Sequence, residues 1–156
     1  MNVHFRAFHG PSDWGWVLQH LPLKRVEDTG GIVAIDADTN RTVAMCIMDT
    51  WSHNAVQVHL ILDNPIVLRH GFFEEVADYV YNVAERNVMV GLVPSSNHKA
   101  LQLDKHIGFT ELTRIPNAVM DGEDLVVLHM PKENCKFWTP RSNEAVYTQE
   151  VATNGR

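Results

Sequence analysis

Nine histidines and two cysteines are the residues of this 156-residue chain best suited to hold a metal or move a proton. Neutral imidazole ligates zinc, and because it titrates near neutral pH it also serves as a general acid or base. Spacing decides against the first use. His4, His9, His20, His53, His59, His70, His98, His106 and His129 stand singly, and no two lie four apart as a pair of ligands on one helical turn would. Cys46 and Cys135 form no C-x-x-C pair. No metal is therefore expected, and most of the histidines read as surface or locally satisfied groups. Proton transfer is the use left to them.

Composition narrows the class of function. The apolar fraction of 45% and charged fraction of 21% are those of a folded domain, and the length fits one such domain. A formal net charge of -6 argues against a general nucleic-acid binder, and leaves open a small basic patch or a cationic acceptor such as an amine. No stretch reaches the roughly 18 consecutive apolar residues that span a bilayer. The first residues, MNVHFRAFHGPSDW, contain no apolar core of a secretory signal. With too few cysteines for a disulfide framework, a reducing cytoplasm is the expected compartment.

The elements that must position any chemistry follow from hydrophobic periodicity. Val3 to His9 alternates as a strand, and Pro11-Ser12-Asp13 reads as a helix start with Ser12 or Asp13 as N-cap. Trp14, Val17, Leu18 and Leu21 recur at helical spacing until Pro22 ends the run. Ile32 to Asp36, Val43 to Thr50 and Ala55 to Leu62 are strand-like, the first two joined by the polar loop Ala37 to Arg41. Phe73, Val76, Ala77, Val80, Val83 and Ala84 form one apolar stripe of a helix, with Asn87 as its cap. Val88 to Val93 is a buried-looking strand. A short helix with Ala100, Leu103 and Ile107 inward then ends at Gly108. Phe109 to Ile115 and Asp124 to Met130 are the last strands, turning at Asp121-Gly122. The order β-α-β-β-β-α-β-α-β-β predicts an α/β (α+β type) domain: a mixed, mostly antiparallel sheet of six to seven strands flanked by helices. Residues 1–131 form this domain, and 132–156 read as a polar tail or irregular segment.

The stretch VGLVPSSNHKALQLDKHIGFTEL carries a family resemblance. Asn97, Ala100, Leu103, Gly108 and Phe109 fall on the positions of motif B in the GNAT (GCN5-related N-acetyltransferase) superfamily, where a strand and Asn-containing turn lead into a short helix ending in Gly-Phe. The element order resembles that fold over residues 1 to 131. The compact motif and short polar tail are also similar to small acetyltransferases encoded by bacteriophages, for which the compartment would be the host cytoplasm.

The resemblance implies an acyl-CoA-dependent N-acyltransferase, with acetyl-CoA as donor substrate and an unidentified primary amine as acceptor, acting as monomer or homodimer. The amine would attack the thioester directly while the enzyme supplies proximity, a proton path and an oxyanion hydrogen bond. In the family the fourth and fifth strands splay and pantetheine lies between them. Leu60, Ile61 and Leu62 would then pair with it through their backbones, and Asn97 would hydrogen-bond its arm. The loop that cradles the CoA phosphates would be Val67 to Phe72. There Arg69, His70, Gly71 and Phe72 are the candidates, with Gly71 as the one glycine of a pattern that usually has two. Glu74 and Glu75 follow within a turn and must face away. The fourth strand usually supplies the base, which makes His59 the candidate, with Asp63 nearby. Trp14, Trp16 and Trp51 could wall an acceptor pocket. Asp104 stands where many members carry a tyrosine that protonates the departing thiolate. An aspartate of ordinary acidity is ionised at neutral pH and cannot do this unless burial raises its pKa. Water, Tyr79, Tyr81 or His106 are the other sources of that proton. The same departure leaves open a catalytically inactive GNAT-like binding or interaction module.

Overall fold

The computed structural model describes residues 1–141, and residues 142–156 of the expected C-terminal segment lie outside them. Seven strands form one sheet in the order β1-β2-β3-β4-β5-β7-β6. They are β1 (Val3–Ala7), β2 (Gly30–Asp36), β3 (Arg41–Asp49), β4 (Ala55–Leu62), β5 (Val88–Pro94), β6 (Thr110–Met120) and β7 (Glu123–Pro131). Helix α1 (Gly10–His20) follows β1, α2 (Phe72–Ala77) precedes β5, and α3 (His98–Ile107) follows it. The mixed sheet flanked by helices is the architecture expected from the sequence.

Alternation along the strands sorts the core into two layers. On one face Cys46, Met48, Val56, Val58 and Met89 pack against Phe72, Phe73, Val76 and Val80 of the α2 region and against Leu101 and Ile107 of α3. On the other, Val33, Ile35, Met45, Ile47 and Ile61 pack under Val17 of α1. At the β2–β3 contact, a Cβ on Gly31 would overlap the carbonyl oxygen of Cys46. Gly31→Ala is expected to lower stability by about 1–3 kcal/mol through this forced shift. Gly30→Ala, with nothing within 4 Å of its Cβ position, should be near-neutral. Urea unfolding midpoints of the pair check the difference.

Three local departures from the expected elements have physical causes. Helix α1 starts at Gly10, earlier than Ser12 or Asp13, with His9 as N-cap. Asp13 is instead buried one turn in, where it accepts a bidentate pair from Arg6 at 2.7 Å and the His9 amide at 2.9 Å. The long helix continues past Ala77 as a π-helical run, Asp78–Val83, whose wider turns shift the apolar stripe. Val83 is left exposed while Tyr81 is buried, donating its hydroxyl to the Met130 carbonyl at 2.7 Å. Strand β6 runs beyond Ile115 because its register with β7 shifts between Ile115 and Met120, and it lies at the sheet edge, where Pro116 leaves no ladder bond missing.

The segment after Pro131 stays on the body as far as it is described. A 3-10 turn, Lys132–Asn134, leads to Cys135, which is buried. Phe137 then meets Phe73 edge-on at 5.4 Å, Trp138 meets Tyr81 at 6.1 Å, and Arg141 pairs with Asp78 at 2.9 Å.

Candidate active site

One neighbouring pair in the sheet is parallel, and it is brief. β4 and β5 are in register only at Ala55↔Val88, Val56↔Met89 and Gln57↔Val90. Among the described residues, the β5-facing edge of β4 has no partner strand beyond Gln57, although its other edge stays paired with β3 to Leu62. The divergence opens a cavity of about 110 Å³ between the strand ends. Because the gap passes through the sheet, residues of both faces line it.

His59 reaches the cavity from β4 and Asp104 from α3. His59 shares the α1 face with Ile61, whereas Asp104 comes from the opposite layer, so the two flank the opening. The imidazole Nε2 of His59 lies 3.1 and 3.0 Å from the two carboxylate oxygens of Asp49, and both side chains are mostly buried. Such a carboxylate selects the tautomer with the proton on Nε2, leaving the Nδ1 lone pair as the basic position of the neutral ring. Asp49 was not among the residues picked out from the sequence. Only the strand register marks it: across the β3–β4 ladder Asp49 opposes Gln57 and Ile47 opposes His59, so Asp49 and His59 share one face in neighbouring same-face pairs.

Asp104 is anchored by its own backbone. Its carbonyl accepts the amides of Gly108 at 3.1 Å and Phe109 at 2.9 Å, in the turn that Gly108 closes with φ 128°. Burial alone pushes its carboxyl up to about 6. Of the proton sources considered for this position, Tyr81 is held in the core, where burial raises its hydroxyl well above the usual range. Cys46 also lines the cavity, but burial drives its thiol far above the usual thiol range and keeps it protonated.

The remaining expected residues divide. Leu60 and Asn97 line the cavity with His59 and Asp104. Asn97 is also the N-cap of α3, its Oδ1 accepting the Ala100 amide at 3.2 Å, which leaves the side-chain NH2 as what it can offer a ligand. The Ile61 side chain points into the α1 core and Leu62 packs on the other layer, so only their backbones face the open edge. Arg69, His70, Gly71 and Phe72 do not line the cavity. Pro65–His70 forms a 3-10 helix, Gly71 turns it with φ 87°, and α2 begins at Phe72. Arg69 and His70 are exposed there, whereas the Phe72 ring is fully buried against Phe5 at 6.1 Å, so Phe72 has only its amide to contribute. Glu74 and Glu75 are exposed on the outer side of α2.

The three tryptophans do not line this cavity. Trp14 and Trp16 pack on the α1 layer, and Trp51 sits beneath Arg86 with its Nε1 donating to the Asp28 carbonyl at 2.9 Å. Leu21, just past α1, lines the cavity instead.

No protein-family model matches the sequence, and no curated protein matches it either. Solved structures do. Mutant forms of the spermidine/spermine N-acetyltransferase SpeG from Vibrio cholerae superpose with a TM-score of 0.70 over 85% of this chain and 96% of that one, at 12% identity. The same organism's spermidine N-acetyltransferase in complex with CoA and spermine gives 0.67 over 85% and 96%, at 13% identity. The chain shares the fold of these structures. At such low identity the likeness establishes that fold, in agreement with the resemblance carried by Asn97 to Phe109. Among the described residues, no helix is long and apolar enough to cross a membrane.

Proposed function

We propose that the chain is an acyl-CoA-dependent N-acyltransferase that moves an acetyl group from acetyl-CoA to a primary amine in the cytoplasm. The observation that carries this reading is the opening of β4 from β5 after three parallel pairs, with His59 and Asp104 on either side of the cavity it creates. Pantetheine would lie along the unpaired edge of β4 at Leu60 to Leu62 and take a hydrogen bond from the Asn97 amide. The phosphates would sit by the turn at Arg69, His70 and Gly71, near the amide of Phe72 at the start of α2.

Each residue then has a step. The neutral amine attacks the thioester carbonyl carbon, and its proton passes to His59, which Asp49 holds in the required tautomer. The tetrahedral oxyanion collapses, the C–S bond breaks, and the departing thiolate takes a proton from Asp104. A carboxyl titrating near 6 keeps about a tenth of its molecules protonated at pH 7, enough for a leaving group as stable as a thiolate. This arrangement favours a working enzyme over an inactive module. A structural neighbour is a spermidine/spermine N-acetyltransferase, and the net charge of -6 suits a cationic amine of that kind.

Calorimetric titration with acetyl-CoA and free CoA, followed by turnover with a panel of primary amines including polyamines, tests the proposal. Micromolar binding with amine-dependent release of free thiol is expected, and no binding at millimolar CoA would overturn it. The phosphate seat has its own check. Arg69→Glu should weaken CoA about tenfold, an effect that shrinks at high salt, with unfolding unchanged. Arg69 is the better probe because Gly71 holds a left-handed turn that any side chain would strain.

A further inference from the structure

Gly91 is a glycine without a structural reason. It sits inside β5, flanked by paired strand residues, and its φ is not positive. A Cβ built there would meet Leu128 at 3.8 Å and Phe109 at 4.0 Å, which is ordinary van der Waals contact. Glycine in a strand interior weakens the strand, and where neither a turn nor a clash demands it, the usual remaining cause is a ligand that comes close. The position fits that cause. Pairing of β5 with β4 stops at Val90, so Gly91 is the first residue past the divergence, and it lines the cavity. Its alternation places it on the side of Met89 and Val93, toward Phe73, Cys46 and Phe109. These are apolar or, for the protonated Cys46 thiol, nearly so, and the Asp104 carboxyl stands near Cys46 at their border.

On the acyl-CoA reading, with which this inference stands, the small residues Gly91 and Cys46 leave an apolar recess under the point where the thioester enters the gap. We infer that this recess seats the acyl group, that Gly91 sets its depth, and that it accepts short acyl chains longer than acetyl. Propionyl and butyryl groups would extend toward Phe73 and Phe109, which close the inner end. Each methylene buried there should tighten binding about fourfold, so butyryl-CoA should bind about 15-fold more tightly than acetyl-CoA.

The test is calorimetry of free CoA, acetyl-CoA, propionyl-CoA and butyryl-CoA on the wild-type chain and on Gly91→Ala and Gly91→Val, with thermal unfolding of each. Gly91→Ala is expected to keep or raise the unfolding midpoint, by about 2 °C, because the strand gains a residue that it can accommodate. It should blunt the gain with chain length, and Gly91→Val should abolish it, each gain being taken relative to the same protein's own affinity for free CoA. Free CoA binding with no gain from acetyl to butyryl, or a gain that survives Gly91→Val, would overturn the acyl seat and leave the acyl-CoA reading standing. Failure of every CoA species to bind the wild-type chain would overturn both.

Discussion

His59→Gln should lower kcat/KM for the amine by about 10²- to 10⁴-fold, the range that a general base contributes. That is a loss of about 3–5 kcal/mol of transition-state stabilisation. The affinity for acetyl-CoA, measured by calorimetry, should stay within about twofold, because on this reading His59 meets the attacking amine and not the arm of CoA. Asp49→Asn acts through His59 and should do less, about a tenfold loss expressed in kcat with KM for acetyl-CoA unchanged. The amide can still reach Nε2 but no longer favours the tautomer that leaves Nδ1 free. Equal loss of donor binding in either variant would move His59 from the base to a wall of the donor site.

Asp104→Asn should make the protein more stable and less active. The carboxyl titrates near 6 in the folded chain and near 3.8 once unfolded, since burial raises it. Below pH 3.8 it is neutral in both states and takes nothing from the fold. Between these values the unfolded chain ionises first, and above 6 the folded chain carries a desolvated carboxylate. Stability is therefore lost as pH rises through this window, by up to about 3 kcal/mol at pH 8. Asparagine cannot ionise, so the variant should gain that amount at pH 8 and almost nothing at pH 4. Urea unfolding at pH 4, 6 and 8 reads this directly. A gain independent of pH would mean that packing and not charge is the cause. The matching fall in kcat, about tenfold, would make Asp104 a position where the fold gives up stability for chemistry.

Much of this site could be read from the chain because its residues sit in periodic elements. Alternation in Ala55 to Leu62 separates His59 from Leu60, and the run from Asn97 to Phe109 carries both a cap and a helix stop. Asp104 was legible as a departure from a familiar pattern, but its acidity was not, because burial is a property of the cavity and not of the sequence. Asp49 was missed because its meaning lies in the β3–β4 register. The π-helical run escaped because a one-residue widening leaves no mark on a stripe counted in threes and fours. Phe137 and Trp138 fall in what reads as a polar tail or irregular segment, since two aromatics without periodicity give no sign of what they will meet.

Those two rings bear on the order in which the molecule can be made. β7 lies between β5 and β6, so a ribosome that has delivered β5 and β6 holds the contiguous strands β1 to β5 with β6 still detached from them. Once β7 slots in, Phe73, which lines the cavity, waits for Phe137 to back it, and Tyr81 waits for Trp138. Domains emerge from synthesis amino-terminus first. In this one the cleft between β4 and β5 is outlined early, and the ring behind its inner wall arrives only when nearly the whole described chain has been released.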